Sequence, residues 1–155
     1  MFSASEIFDL AIRIEENGEY FYRKAAADLK EPKLMEMLHE IANDELRHRE
    51  WFLKTKRSAG IGGIESLLSR LSGTFLQEAI EDHGFSLEEV DFSAISDERS
   101  LLEVAMGFEQ DSITFYEILS GFVEDEQTRK YLEAIIEEEK GHVALLEERM
   151  NRLPG

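Results

Sequence analysis

A chain of 155 residues with 43% hydrophobic content and a net charge of −17 suits one globular domain, residues 1–155, with a sizeable core. Its acidic balance excludes the basic footprint that nucleic acids require, and the absence of cysteine excludes disulfides and thiolate metal sites. No run approaches the roughly 20 apolar residues that cross a bilayer, so a membrane partner is not expected. The N-terminus reads as free of a signal peptide, which makes cytoplasm the expected location.

The elements follow in chain order. A first helix is predicted from about Ser5 to Leu29 and ends at Lys30-Glu31-Pro32, because proline suits the first turn of a new helix and disfavours helix in the residue before it. A second runs from Pro32 to about Ser58, before Gly60, Gly62 and Gly63 break the pattern. Residues 59–95 form a long connection with short helical candidates at 64–71 and 74–82. Ser86 and Glu89 there have the spacing of a capping box. A third helix is expected from about Asp97 to Ser120, with Ser96 as N-cap and Gly121 as C-terminal stop, and a fourth from about Asp125 to Asn151. The fold class is therefore all-α: an antiparallel four-helix bundle made of two hairpins, about 5–58 and 97–151, joined by one long crossover. The crossover has a geometric use. Helices of about 25 residues are roughly 38 Å long, and if the second and third helices run parallel, the chain must travel that length between them.

The two hairpins repeat one another at a constant offset of 94 residues. Glu15 recurs as Glu109, Tyr22 as Tyr116, Glu45 as Glu139 and His48 as His142, with Ala11/Ala105, Phe21/Phe115, Leu38/Leu132 and Ile41/Ile135 as apolar companions. These positions fall in the three-four spacing of a core-facing stripe. The first helix reads Phe8, Ala11, Glu15, Gly18, Tyr22 and Ala25 along it, and the second reads Leu34, Leu38, Ile41, Glu45, His48 and Phe52. Glutamates and histidines thus point into the core.

Four buried carboxylates must be protonated, paired or metal-bound, and no lysine or arginine stands at these central positions. Two divalent ions would balance four carboxylates and leave both histidines neutral. Heights agree as well. Glu15 and Glu45 have their midpoint at residue 30 and Glu109 and Glu139 at residue 124, each within a predicted hairpin turn. Each histidine follows a glutamate by three, one turn away on the same face. One Glu from each of two helices and Glu-x-x-His from each of the other two is the pattern of dinuclear carboxylate bundles. Glu15, Glu45, His48, Glu109, Glu139 and His142 are therefore the candidate metal ligands. Glu36-x-x-His39 has the same short spacing, but lies about half a helical turn around from Glu45 and reads as surface.

Tyr22 and Tyr116 lie two turns beyond Glu15 and Glu109. They read either as core aromatics or as donors that orient the ligand carboxylates. Gly18 and Ser112, one turn beyond the same glutamates, either leave space beside the metals or allow close helix packing. Trp51, matched by Leu145, reads as packing, and His83 as an ordinary polar residue.

The run Glu15 to Tyr22 with Glu45-Leu46-Arg47-His48, and its partner Glu109 to Tyr116 with Glu139-Lys140-Gly141-His142, resembles the ferritin-like di-iron carboxylate proteins, especially the rubrerythrin branch. The resemblance implies a bundle binding two iron ions, with Glu15 and Glu109 terminal, Glu45 and Glu139 bridging, and one histidine on each metal. It also implies reduction of hydrogen peroxide. Two departures stand out: without cysteines there is no rubredoxin-like module to feed electrons, and Ser112 stands where rubrerythrin has an additional carboxylate. Oxygen and nitrogen donors suit manganese or zinc as well as iron. The leading expectation is a di-iron oxidoreductase acting on peroxide or dioxygen, supplied by an external electron donor, with a homodimer as a candidate assembly. Ferrous iron oxidation and storage is the alternative, and a metal-free interaction bundle the lesser one.

Overall fold

A computed structural model describes residues 4–57, 95–121, 123 and 125–154. The short helices expected at 64–71 and 74–82, the Ser86/Glu89 box and His83 lie outside the described residues. Four helices are present: α1 Ala4–Ala27, α2 Pro32–Lys56, α3 Glu98–Ser120 and α4 Glu126–Asn151. No described helix is long and apolar enough to cross a membrane.

The helix ends follow from local chemistry. At the end of α1 the Asp28 and Leu29 amides bond three residues back, to Ala25 and Ala26, tightening the last turn and ending the helix before Leu29. Pro32 opens α2, and the Glu31 carboxylate caps it by accepting from the Lys33 and Leu34 amides at 3.2 and 2.7 Å. These amide donors, Leu34 foremost, hold the Glu31 carboxyl below its usual range.

The N-cap of α3 is Asp97 rather than the expected Ser96. Asp97 accepts from the Ser100 amide at 2.8 Å, while the Ser100 hydroxyl accepts from the Asp97 amide at 3.2 Å, closing a reciprocal box that Ser96 has no partner to form. Asp125 caps α4 from just outside it through the Thr128 amide. Gly121 caps α3 with φ of −67°, a right-handed conformation open to any residue.

Side-chain pairings set the directions of the helices. Asp9 with Lys56, Glu19 with Arg49 and Arg23 with Asn43 make α1 and α2 antiparallel. Tyr22 with Glu109 and Tyr116 with Glu15 make α1 and α3 antiparallel, and His48 with Glu138 and His142 with Asp44 do the same for α2 and α4. Both α2 and α3 therefore run opposite to α1 and parallel to each other. The C-terminus of α2 and the N-terminus of α3 thus lie at opposite ends of the bundle.

Each helix buries the stripe read from its sequence. One apolar cluster holds Phe8, Phe52, Phe108, Phe115, Tyr116 and Leu132 among others. A second is built around Phe21, Tyr22, Leu34, Leu38, Leu102 and Leu146. The first is rich in phenylalanine, the second mostly in leucine and alanine. Burial of such side chains stabilises by roughly 1.5–3 kcal/mol each, which is what holds a polar layer in the core. The look-alike pair Glu36 and His39 is exposed.

Candidate metal centre

Six ionisable side chains share the bundle interior. Glu15, Glu109, Glu139 and His48 are 0% exposed, Glu45 1% and His142 4%. Their ligand atoms form two groups, each within 4.8 Å. One comprises Glu15, Glu45, His48 and Glu139; the other comprises Glu45, Glu109, Glu139 and His142. Glu45 and Glu139 belong to both, and each remaining residue to one. Every helix contributes: α1 gives Glu15, α2 Glu45 and His48, α3 Glu109, and α4 Glu139 and His142.

Hydrogen bonding separates the inward atoms from the outward ones. His48 Nε2 meets Glu138 at 2.6 Å and His142 Nε2 meets Asp44 at 2.9 Å, both across α2 and α4. A carboxylate can only accept from a ring N–H, so these contacts fix the Nε2–H tautomer of the neutral imidazole and leave Nδ1 with its lone pair. The Tyr22 hydroxyl donates to Glu109 Oε1 and the Tyr116 hydroxyl to Glu15 Oε1, each at 2.7 Å. The tyrosines therefore reach crosswise, each from one hairpin to the lone glutamate of the other. Both rings are also buried in the core.

The inward atoms are left over. Glu15 Oε2, Glu45 Oε1, Glu109 Oε2, both Glu139 oxygens and Nδ1 of both histidines are buried without a hydrogen bond, and no other described side chain has such an atom. His48 Nδ1 lies 2.9 Å from Glu139, and His142 Nδ1 lies 3.4–3.5 Å from Glu45, Glu109 and Glu139, close but without hydrogen-bond geometry. Each orphaned buried group costs roughly 1–3 kcal/mol, more if charged. Converging carboxylate oxygens and imidazole nitrogens are the donor set of a dinuclear cation site. The residues fit it.

Without cations, protons must balance the charge. Burial, then repulsion from neighbouring glutamates, pushes the Glu45 and Glu109 carboxyls well above their usual range. Burial opposes charge on Glu139 too, but Glu109 and both histidines outweigh it and hold that carboxyl low. Burial pushes His48 down, yet Glu139 and Glu15 overcome it and carry its pKa up to about 11. Asp44, Glu109 and Glu139 raise His142 in the same way against burial. Protons and metal ions compete for these atoms.

The sequence reading missed Asp44, Glu138 and Arg47. Arg47 donates to Asp44 at 2.9 Å and to both oxygens of Glu138 at 2.7 and 3.2 Å, joining the two carboxylates that hold the histidines. Asp44 and Glu138 are themselves 94 residues apart, each immediately before a shared glutamate. That signal was available. It was hidden among 34 acidic residues, most of which solvate the surface.

Gly18 and Ser112 occupy unlike surroundings. A Cβ on Gly18 would meet the Phe108 ring at 2.9 Å and Glu45 Oε2 at 3.1 Å, so Phe108 packs over the glycine. The Ser112 hydroxyl donates to its own helix at Phe108 O, 2.9 Å away. Neither contact describes an open channel to the ligands.

A sequence profile of the rubrerythrin family matches residues 6–150. Among solved structures, the chain is similar to a Thermotoga maritima protein provisionally described as a ferritin-like diiron-carboxylate protein. The two are 24% identical with a TM-score of 0.74, over 97% of this chain and 96% of that one. At that identity the likeness establishes the fold. No curated protein matches the chain.

Proposed function

The chain belongs to the rubrerythrin family of ferritin-like diiron-carboxylate proteins, and we propose that it binds two iron ions and reduces hydrogen peroxide or dioxygen with electrons from a separate donor. The observation that carries this reading is the set of seven orphaned ligand atoms, all on six side chains that form two groups sharing Glu45 and Glu139. Glu15 and His48 would hold one ion, Glu109 and His142 the other, and Glu45 and Glu139 both. Bound iron would supply the two electrons that cleavage of a peroxide bond consumes.

The side chains have separate tasks. Asp44 and Glu138 keep Nδ1 of each histidine free for a cation by engaging Nε2. Tyr22 and Tyr116 occupy one oxygen of Glu109 and Glu15 and leave the other directed inward. Complete burial of the ligands keeps bulk water from the carboxylates and strengthens every charge interaction among them.

Elemental analysis of anaerobically purified protein, followed by absorption spectroscopy during peroxide addition, tests the proposal. Two metals per chain and oxidation within seconds are expected. A loaded protein inert to both peroxide and dioxygen would sink it. Many irons per chain inside a large closed shell would instead favour storage.

A further inference from the structure

One half of the bundle carries a line of aromatic rings that the other half lacks. Tyr131, 43% exposed, stacks on Trp51 with centroids 4.7 Å apart and planes within 9°. Trp51 meets Phe52 edge-on at 5.1 Å, and buried Phe52 lies 5.3 Å from Tyr116. The Tyr116 hydroxyl reaches Glu15 at 2.7 Å. An unbroken succession of ring contacts thus joins the protein surface to a candidate metal ligand.

The 94-residue repeat supplies an internal control. The counterparts of Tyr131, Trp51 and Phe52 are Met37, Leu145 and Leu146, whereas Tyr116 retains its partner Tyr22. Tyrosines that serve the ligands are present in both halves. The aromatic extension to the surface is present in one. Aliphatic side chains stand at all three positions in the other half, so the repeat itself does not call for rings there.

We propose that Trp51 and Tyr131 form a one-electron path that completes peroxide reduction when the metal centre holds only one reducing electron. This rests on the di-iron reading above. Cleavage of hydrogen peroxide to two waters consumes two electrons and two protons, the protons coming from solvent. A di-iron centre held by these residues would supply one electron. Trp51 gives the second across Phe52 and Tyr116, becoming a radical cation. Tyr131 then refills Trp51 with one electron and releases its phenolic proton to water. A one-electron reductant of the thiol or ascorbate class reduces the tyrosyl radical back to tyrosine by giving up an electron and a proton, and is itself oxidised by one electron. Phenylalanine is too hard to oxidise to hold the charge, so Phe52 is a bridge between stations. Tyr131 and Trp51 both line a surface groove of about 550 Å³, where a small reductant has access.

Iron-loaded protein poised with one reducing electron per site, mixed with hydrogen peroxide and freeze-quenched, tests the path by electron paramagnetic resonance. The wild type is expected to give a tyrosyl signal, Tyr131→Phe a tryptophanyl signal, and Trp51→Phe at most a tenth of the wild-type radical yield. Peptide mass spectrometry should find oxygen added to Trp51 or Tyr131 in the wild type. An oxidised iron centre with no protein radical, or the same radical in Trp51→Phe, overturns the path and leaves the di-iron reading intact. Iron that fails to bind or to react overturns that reading and the path with it, and the absorption of the metal in the same samples distinguishes the two. Tyr131→Phe alters an exposed hydroxyl, so its outcome does not depend on the tolerance of the core.

Discussion

The hairpin α1–α2 and the hairpin α3–α4 supply the same candidate ligands and surround them differently. Each gives one lone glutamate, one Glu-x-x-His pair and one tyrosine directed at the opposite hairpin. Around this shared layer the halves diverge. Arg47 on α2 serves both histidine-binding carboxylates, while its counterpart on α4 is Gly141. Gly18 on α1 accommodates Phe108 on α3, whereas the equivalent positions hold Ser112 and Ile14. The repeat persists at the six buried ionisable residues and the two tyrosines bonded to them, and lapses among the residues around that layer. Two cations bound here would have equivalent ligands in unequal surroundings.

The most damaging way to break the comparison is at the shared glutamates. Replacing Glu45 or Glu139 with Ala should abolish binding of both metals, since each belongs to both groups. Replacing Glu15 or Glu109 should leave about one per chain. Metal content by elemental analysis reads the difference, and equal losses in all four variants would contradict the sharing.

Proton competition gives the next effect. His48, His142, Glu45 and Glu109 all have folded pKa values above their ordinary ones. Each contributes stability that is present at low pH and lost as pH rises through the folded value. Glu139, held low, contributes in the opposite sense, losing stability as pH falls through its folded value. From about pH 6.5 towards 11 the metal-free protein should therefore lose stability, while metals relieve the same carboxylates and imidazoles. The Tm difference between loaded and metal-free protein should widen from about pH 6 to about pH 9 in differential scanning calorimetry. A constant difference would exclude this linkage.

Arg47 offers a subtler test. Arg47→Gln removes the charge shared by Asp44 and Glu138 and should weaken metal affinity by roughly 10–100-fold, as loss of groups that support metal ligands commonly does. Competition with a chelator measures it. The smallest effects contrast two glycines. Gly18→Ala must displace the Phe108 ring or Glu45 and should cost about 1–3 kcal/mol. Gly141→Ala, where a Cβ meets nothing within 4 Å, should stabilise α4 by about 0.5–1 kcal/mol. Denaturant unfolding of both variants checks the opposite signs.

Much of the candidate site was legible because its six side chains obey two rules at once, the three-four stripe and the 94-residue offset. Neither rule identifies a supporting residue on the flank of a helix. Asp44, Glu138 and Arg47 lie beside the stripe, where an acidic chain places its ordinary surface charge, and their function depends on the helix opposite. Asp97 displaced Ser96 as the cap for a similar reason: its selection depends on what stands three residues further on.

By itself the sequence determined the four described helices, their buried faces and the six inward-facing ionisable side chains, because periodicity fixes where a side chain points relative to its own helix axis. The tertiary structure decided which residue stands opposite which. Tyr22 serves Glu109 rather than Glu15, and His48 leans on Glu138 rather than on an acid of its own hairpin. Such pairings depend on how α1 packs against α3 and α2 against α4, and helical periodicity carries no term for a second axis.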